Sequence, residues 1–287
     1  NMQLNIATKS ILAVCHNTAW QKTMVFEDLK LDEVNRALTQ HECGGGKGVN
    51  VVRVLNMLGY KNALAGFAGG ETGKLLQKEL QNNNTEDLTV ETKSKTRSCY
   101  TLICKKNKQA TEIIEPSEKI SPQEQNELLA KIKQNIKKFS LFCLSGSLPP
   151  GLDENFYAQI ALYAKENKLP LILDACNNIE KTLQQGVTLL KINAEELQEI
   201  SSEKNINKAA EKLLLNYPIE WLAVTDGAKP AYLLNKDKSW TYKLPKLENI
   251  KSAIGAGDCT AAIMAARLSE STKKEQVPQY FKEALAA

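Results

Sequence analysis

Histidine is nearly missing from this 287-residue chain, which has only His16 and His41. Two histidines and no C-x-x-C pair leave too few ligands for zinc hydrolysis, and without a G-x-S-x-G turn serine-hydrolase chemistry is disfavoured. The seven cysteines, at 15, 43, 99, 104, 143, 176 and 259, are odd in number and unpaired in spacing, as expected of a reduced, cytoplasmic protein. No apolar run approaches the ~20 residues of a membrane span. No charged-then-apolar leader opens the chain, and Asn1 ahead of Met2 reads as a remnant of expression. Charge of one sign is lacking as well: 37 Lys and Arg against 33 Asp and Glu leave a scattered net +4, which suggests neither nucleic acid nor a membrane surface as partner. Neither a solenoid-length repeat nor a low-complexity linker is present, so one large α/β domain, with or without a small appendage, is expected.

Glycine is concentrated where it matters. Gly255-Ala256-Gly257-Asp258, within residues 252–268, runs from a turn into an Ala-rich helical segment. The first N–H groups of such a helix lack intrahelical partners and its dipole presents a positive end, so a phosphate or a developing oxyanion is welcome there. Asp258 stands at that mouth either as an ordinary N-cap or as a base for a substrate hydroxyl. A second glycine-rich junction, Cys43-Gly44-Gly45-Gly46-Lys47-Gly48-Val49-Asn50, precedes a helical segment that ends at Gly59. It is neither a P-loop nor a dinucleotide fingerprint, because Lys47 is followed by Gly48 and the glycine spacing differs. Its glycines permit close backbone approach, Lys47 offers a point charge and Asn50 a donor–acceptor pair.

Elsewhere the chain alternates apolar strands with amphipathic helices. Strands are expected near 11–15, 63–67, 141–144, 171–174, 189–192 and 221–225, and helices over about 72–80, 154–165 and 179–185. Ser121-Pro122-Gln123-Glu124 is a capping box that opens a helix to about Phe139. Unbroken apolar strands between helices imply a mainly parallel sheet covered on both faces, with ligands beyond the strands' carboxyl ends. The polar runs 16–21, 145–151 and 193–196, Asp174 and Asp226-Gly227 all fall at such ends. Strand-like pieces at 24–26 and 34–36, and antiparallel strands near 100–104 and 111–114, are assigned together to one small sheet. Arg97 opens the first of the latter, either as a phosphate clamp or as a surface ion pair.

The two glycine-rich junctions, the Ser145-Gly146-Ser147-Leu148-Pro149-Pro150-Gly151 loop and Asn193-Ala194-Glu195-Glu196, in this order, resemble the ribokinase-like sugar kinases of the phosphofructokinase B family, in particular its 1-phosphofructokinase and tagatose-6-phosphate kinase branch. The resemblance implies a three-layer α/β/α core with a mainly parallel sheet (1–16, 44–87 and 116–287) and a small discontinuous β-sheet lid (17–43 and 88–115). It implies transfer of the γ-phosphoryl of ATP to a sugar-phosphate hydroxyl, with Asp258 as base and Gly255, Ala256 and Gly257 forming the anion hole. Asn17, Gln21, Arg36, Gly45, Gly46, Lys47, Asn50, Arg97, Ser145 and Gly146 would bind the sugar phosphate. Lys191, Asn193, Thr225 and Gly227 would bind the nucleotide, and Glu196 with Asn193 would hold Mg²⁺ through water. A homodimer formed through the lid fits the family, and a monovalent cation near the anion hole is left open.

Several positions depart from the family's pattern. Gln21 stands where an Asp gripping sugar hydroxyls is expected, Pro230 follows the Gly227-Ala228-Lys229 turn, and Ile263 replaces a glycine. Relatives usually continue past a helix like the one ending at Ala287. Two other readings therefore stand beside the first. One is a sugar-phosphate or nucleotide binder without turnover, and the other is a kinase of an unphosphorylated sugar or nucleoside, which the pair Arg36 and Arg97 argues against.

Overall fold

A computed structural model describes residues 9–245 and 255–287, so Ser252, Ala253 and Ile254, the first part of the 252–268 stretch, lie outside the described residues. The chain begins with β1 (Ser10–Cys15), β2 (Ala19–Phe26), β3 (Thr39–Gly45), α1 (Lys47–Met57), β4 (Asn62–Gly69), α2 (Gly70–Asn82) and β5 (Glu86–Thr92). It continues through β6 (Arg97–Cys104), β7 (Gln109–Ile114), α3 (Pro122–Asn135), β8 (Phe139–Ser145), α4 (Glu154–Glu166), β9 (Leu171–Asp174), α5 (Glu180–Gln185) and β10 (Val187–Asn193). Then come α6 (Ala194–Ser201), α7 (Ile206–Asn216), β11 (Ile219–Thr225), β12 (Ala231–Leu234), β13 (Ser239–Tyr242), α8 (Ala256–Glu270) and α9 (Val277–Ala286).

The larger sheet has nine strands in the order β13-β12-β11-β10-β9-β8-β1-β4-β5. From β11 to β5 every pairing is parallel, and β12 and β13 add an antiparallel hairpin at one edge. Strand β1 shows how the layers are specified. Leu12 and Val14 enter the core with Leu128, Ile132 and Tyr157 from α3 and α4, whereas Ile11, Ala13 and Cys15 face Val51, Leu55, Ala265 and Phe281 from α1, α8 and α9. Two-residue alternation with both sides apolar is what a sheet covered on both faces requires. The small residues of α8, with 260–266 all buried, let it pack closely on α1. Ile263 belongs to that core face at 9% exposure, so the side chain that replaces a glycine is absorbed by packing.

A separate four-stranded sheet has the order β3-β2-β6-β7. Two strand-level expectations are corrected here. Residues 86–92 pair in parallel with β4 and belong to the larger sheet, so the segment from 88 does not join the smaller one as a unit. Val34, Asn35 and Arg36 form no strand: the Asn35 side chain both accepts from the Lys30 N–H and donates to its carbonyl, closing a local turn that competes with sheet pairing. The helix at 122 opens with the capping box expected of it and gives way to a 3-10 turn at Ile136–Lys138 before reaching Phe139. Among the described residues no helix is long and apolar enough to cross a membrane.

Candidate active site

Parallel pairing places the carboxyl ends of β1, β8, β9, β10 and β11 along one edge, and the chain leaves β1 in one direction to β4 and returns on the other side at β8. That reversal is where an open α/β sheet has its crevice. The start of α1 is drawn onto it by glycine. A Cβ on Gly48 would lie 2.6 Å from Cys15 Cβ, and Gly46, at φ 106°, would bring one 2.8 Å from Cys15 Sγ. Only glycines let α1 begin directly on the end of β1, and this carries Lys47 and Asn50 over the crevice.

The start of α8 meets them there. Gly255 caps the helix at φ 87°, and the first intrahelical bond runs from Cys259 N–H to the Gly255 carbonyl, leaving the N–H groups of Ala256, Gly257 and Asp258 without intrahelical acceptors. Asp258 is buried at 8% exposure and accepts a 2.7 Å hydrogen bond from Asn50 Nδ2, across 208 positions of sequence. Burial raises the Asp258 carboxyl above its ordinary 3.8; the Asp174 charge pushes the same way, against the Asn50 hydrogen bond and the charges of Lys191 and Lys47. Asp258 is not the N-cap of α8: that position is Gly255, and Asp258 lies in the first turn of the helix.

Beneath α8 lies a charge cluster. Asp174, fully buried at the end of β9, accepts from Lys47 Nζ at 3.1 Å and from Lys191 Nζ at 3.2 Å. Lys47 also stands 3.9 Å from Glu196 Oε1. Burial works against the Lys47 charge, but Asp174 and Glu196 outweigh it and raise its pKa above 10.5. A Cβ on Gly257 would come within 2.7 Å of Lys191 Nζ, so that ammonium sits directly under the glycine turn of α8. Asp174 was legible only as a carboxylate closing a strand, and its place between two lysines emerges only once β8, β9 and β10 are neighbours.

Asn193 and Glu196 form a reciprocal capping box at the start of α6, each accepting the other's backbone N–H at 2.8 Å. Thr225 is in register with Asn193 on the next strand, followed by Gly227 at φ 57° and by a turn closed by the Lys229 N–H on the Asp226 carbonyl. Pro230 follows that turn, where its missing N–H removes no bond of the Asp226–Lys229 closure.

The remaining expected residues are placed unevenly. Asn17 bridges Ser147 Oγ, at 3.2 Å, and Ser117 Oγ, at 2.7 Å. Gln21, in β2 and paired with Cys43 of β3, donates to Thr101 Oγ1 at 2.6 Å across the smaller sheet; it also neighbours Gly45, whose added Cβ would sit 3.2 Å from Gln21 Cβ. Arg97 lines a small cavity with His16, Asn17 and Ser117, and its Nε is buried without a partner among the described residues. Ser145 is fully buried with its hydroxyl toward Cys143 Sγ, so of that pair it is Gly146, at φ 94°, that borders Lys47. Arg36 stands exposed in the loop 27–38, tied by no hydrogen bond or ion pair to the cluster among the described residues. Sequence reasoning missed Arg53 and Glu79, which join Asn50 to the root of β3; neither carried a motif that would have marked it.

Comparison with known proteins agrees with this architecture. The chain is 30% identical over 275 residues to the tagatose-6-phosphate kinase of Staphylococcus epidermidis, covering 93% of this chain and 88% of that protein. Phosphofructokinase-2 of Escherichia coli, solved with substrates and products, superposes with a TM-score of 0.86 at 22% identity over 97% of this chain and 91% of its own. Arabidopsis thaliana ribokinase, complexed with ribose and ATP, gives 0.75 at 20% identity over 98% and 91%. The last two likenesses concern the fold, a ribokinase-like mixed α/β architecture. The sequence profile of the pfkB family of carbohydrate kinases matches residues 18–280, nearly the whole chain, and the protein belongs to that family.

Proposed function

We propose that this kinase transfers the γ-phosphoryl group of ATP to a hydroxyl of a phosphorylated ketohexose of the fructose 1-phosphate, fructose 6-phosphate or tagatose 6-phosphate type. One observation carries the reading: a buried carboxylate, Asp258, lies on the first turn of α8 beside N–H groups that have no intrahelical acceptor, with two lysines held just beneath. Asp258 takes the proton of the acceptor hydroxyl, and its raised pKa suits a group that must accept a proton and release it again. The N–H groups of Ala256, Gly257 and Asp258 steady the charge on the transferring group, and Lys47 and Lys191 add positive charge that Asp174 keeps in place.

The residues present fit Mg²⁺ of one kind. Among the described residues no group of three or more His, Cys, Asp or Glu side chains is placed to hold a metal ion, and Glu196 has one oxygen committed to its capping box. Such a donor set suits an ion that keeps its waters and phosphate ligands, held by Glu196 and Asn193 through water. When bound, Mg²⁺ neutralises phosphate charge. On the sugar side Asn17, Gln21 and Asn50 supply polar contacts and Arg97 an uncommitted donor for the substrate's own phosphate. The smaller sheet serves as the lid that excludes water, and its exposed Ile113 and Ile114 suit pairing with a second copy.

The test is ATP turnover with Mg²⁺ against a panel of the three sugar phosphates and the free sugars, with Asp258→Asn as control. A phosphorylated ketohexose should stimulate turnover at least a hundredfold over that variant. If no sugar does so, while ligands still raise the melting temperature, the protein is a binder and the kinase reading is wrong.

A further inference from the structure

Arg53, one turn after Asn50 on α1, is tied to three groups at once. One guanidinium nitrogen donates to Asn50 Oδ1 at 2.7 Å, while the other donates to the Gly44 carbonyl at 2.6 Å and to Glu79 Oε1 at 3.1 Å. Glu79, on α2, uses its second oxygen to accept the Gly44 N–H at 2.5 Å. The end of β3 is therefore gripped at both its N–H and its C=O by one ion pair. The space is tight as well: a Cβ on Gly44 would fall 2.7 Å from Leu76 Cδ1 and 3.1 Å from Val49 Cγ1, so a larger residue requires those side chains to shift.

The consequence for Asp258 follows from the asymmetry of an amide. Asn50 accepts only through Oδ1 and donates only through Nδ2. With a cation fixed on Oδ1, the donor end is the one left to meet Asp258 Oδ2 at 2.7 Å. A flipped amide would set NH₂ against guanidinium and a carbonyl oxygen against a carboxylate, two repulsive contacts. The geometry points to Arg53 and Glu79 as positioning residues, which lock the Asn50 amide as a donor to the base and anchor the root of the smaller sheet to the same network. This rests on Asp258 being the base, and neither residue need touch substrate.

Asp258 is also faced by Asp174, Lys191 and Lys47, and by the thiols of Cys15, Cys143 and Cys259. The lysines bond to Asp174, so they do not replace the Asn50 hydrogen bond when the amide turns.

The experiment is a ¹³C NMR titration of the Asp258 carboxyl in the aspartate-labelled full chain, for wild type, Arg53→Ala, Asn50→Ala and the double variant. Each single variant should raise the Asp258 midpoint by about one pH unit, the scale of one lost hydrogen bond to a charged group, and the double variant should go no further than Asn50→Ala alone. Ethylguanidinium added to Arg53→Ala should return the midpoint toward wild type. Should Arg53→Ala fail to fold, Glu79→Gln keeps an acceptor for Gly44 but weakens the hold on Arg53, and it should shift the midpoint in the same direction. An unmoved midpoint in a folded variant, or an Arg53→Ala shift that persists in full without Asn50, overturns the inference. The titration needs no turnover, so a protein in which the midpoint moves but no sugar is phosphorylated would sink the kinase reading and keep the network.

Discussion

Acid should weaken this fold through His16 by an amount that can be worked out beforehand. The imidazole is 1% exposed and packed among the rings of Phe67, Phe156 and Tyr157, with centroids 6.2, 4.9 and 4.4 Å away. Burial holds its pKa at about 3, far below the ordinary 6.5. As pH falls below 6.5 the unfolded chain takes up this proton and the folded chain does not until about 3, so the contribution is complete above 6.5 and is lost through that window. At pH 5, about 1.5 units below the unfolded value, the loss is about 2 kcal/mol at 1.36 kcal/mol per unit. The folded value hardly enters, because the buried ring is neutral at pH 5 whether it titrates at 3 or a unit higher. For a chain of this size that is a fall in Tm of about 3 °C. Urea unfolding of wild type and His16→Phe at pH 7.5 and 5.0 isolates the effect, since phenylalanine keeps the ring contacts and cannot protonate, while the carboxylates common to both proteins cancel. The stability difference should shift by about 2 kcal/mol toward the variant on acidification. Parallel changes in the two proteins would refute the reasoning.

Gly257→Ala sets a methyl 2.7 Å from Lys191 Nζ, the movable end of a side chain. Urea unfolding should therefore show little change, whereas ATP turnover falls at least tenfold, as expected for a displaced charge at the transferring phosphate. Asp174→Ala strips the partner from buried Lys191 and should cost about 3–5 kcal/mol in the same unfolding assay, the usual penalty for an uncompensated buried charge. Replacing Ile113 and Ile114, 53% and 54% exposed on β7, with Glu should turn a dimer into a monomer in sedimentation; equal sedimentation of both proteins would reject pairing through the lid.

The parallel core was legible because its signals are local. Runs such as Leu189-Leu190-Lys191-Ile192 bury almost every residue, and the capping box at Ser121 formed where its side chains predicted. Strand β5 was not legible, because an edge strand such as Glu86-Asp87-Leu88-Thr89 carries no long apolar run and announces its partner only through tertiary contact with β4. The loop at 27–38 failed for the opposite reason. Val34-Asn35-Arg36 suggested a strand, but Val34 is 80% exposed and the Asn35 side chain satisfies Lys30 locally.

The site divides along the same line. Both glycine-rich helix starts could be read because glycine is demanded by a backbone conformation or a close approach at one place, as at Gly46 over Cys15. Asp174, Arg53 and Glu79 act through partners on other elements, and no spacing along the chain encodes which strands or helices become neighbours. The Asn193 and Glu196 pair lies between these cases. Its three-residue spacing is what a helix needs for reciprocal capping, so the motif explains its own local structure whether or not a metal is ever bound. What lifts Glu196 above an ordinary cap is the second oxygen, turned toward Lys47 at 3.9 Å, within a cluster that Asp174 holds together from the next strand. Under the proposed function, the half of the carboxylate that helix capping leaves unused is the half available to hold Mg²⁺ through water.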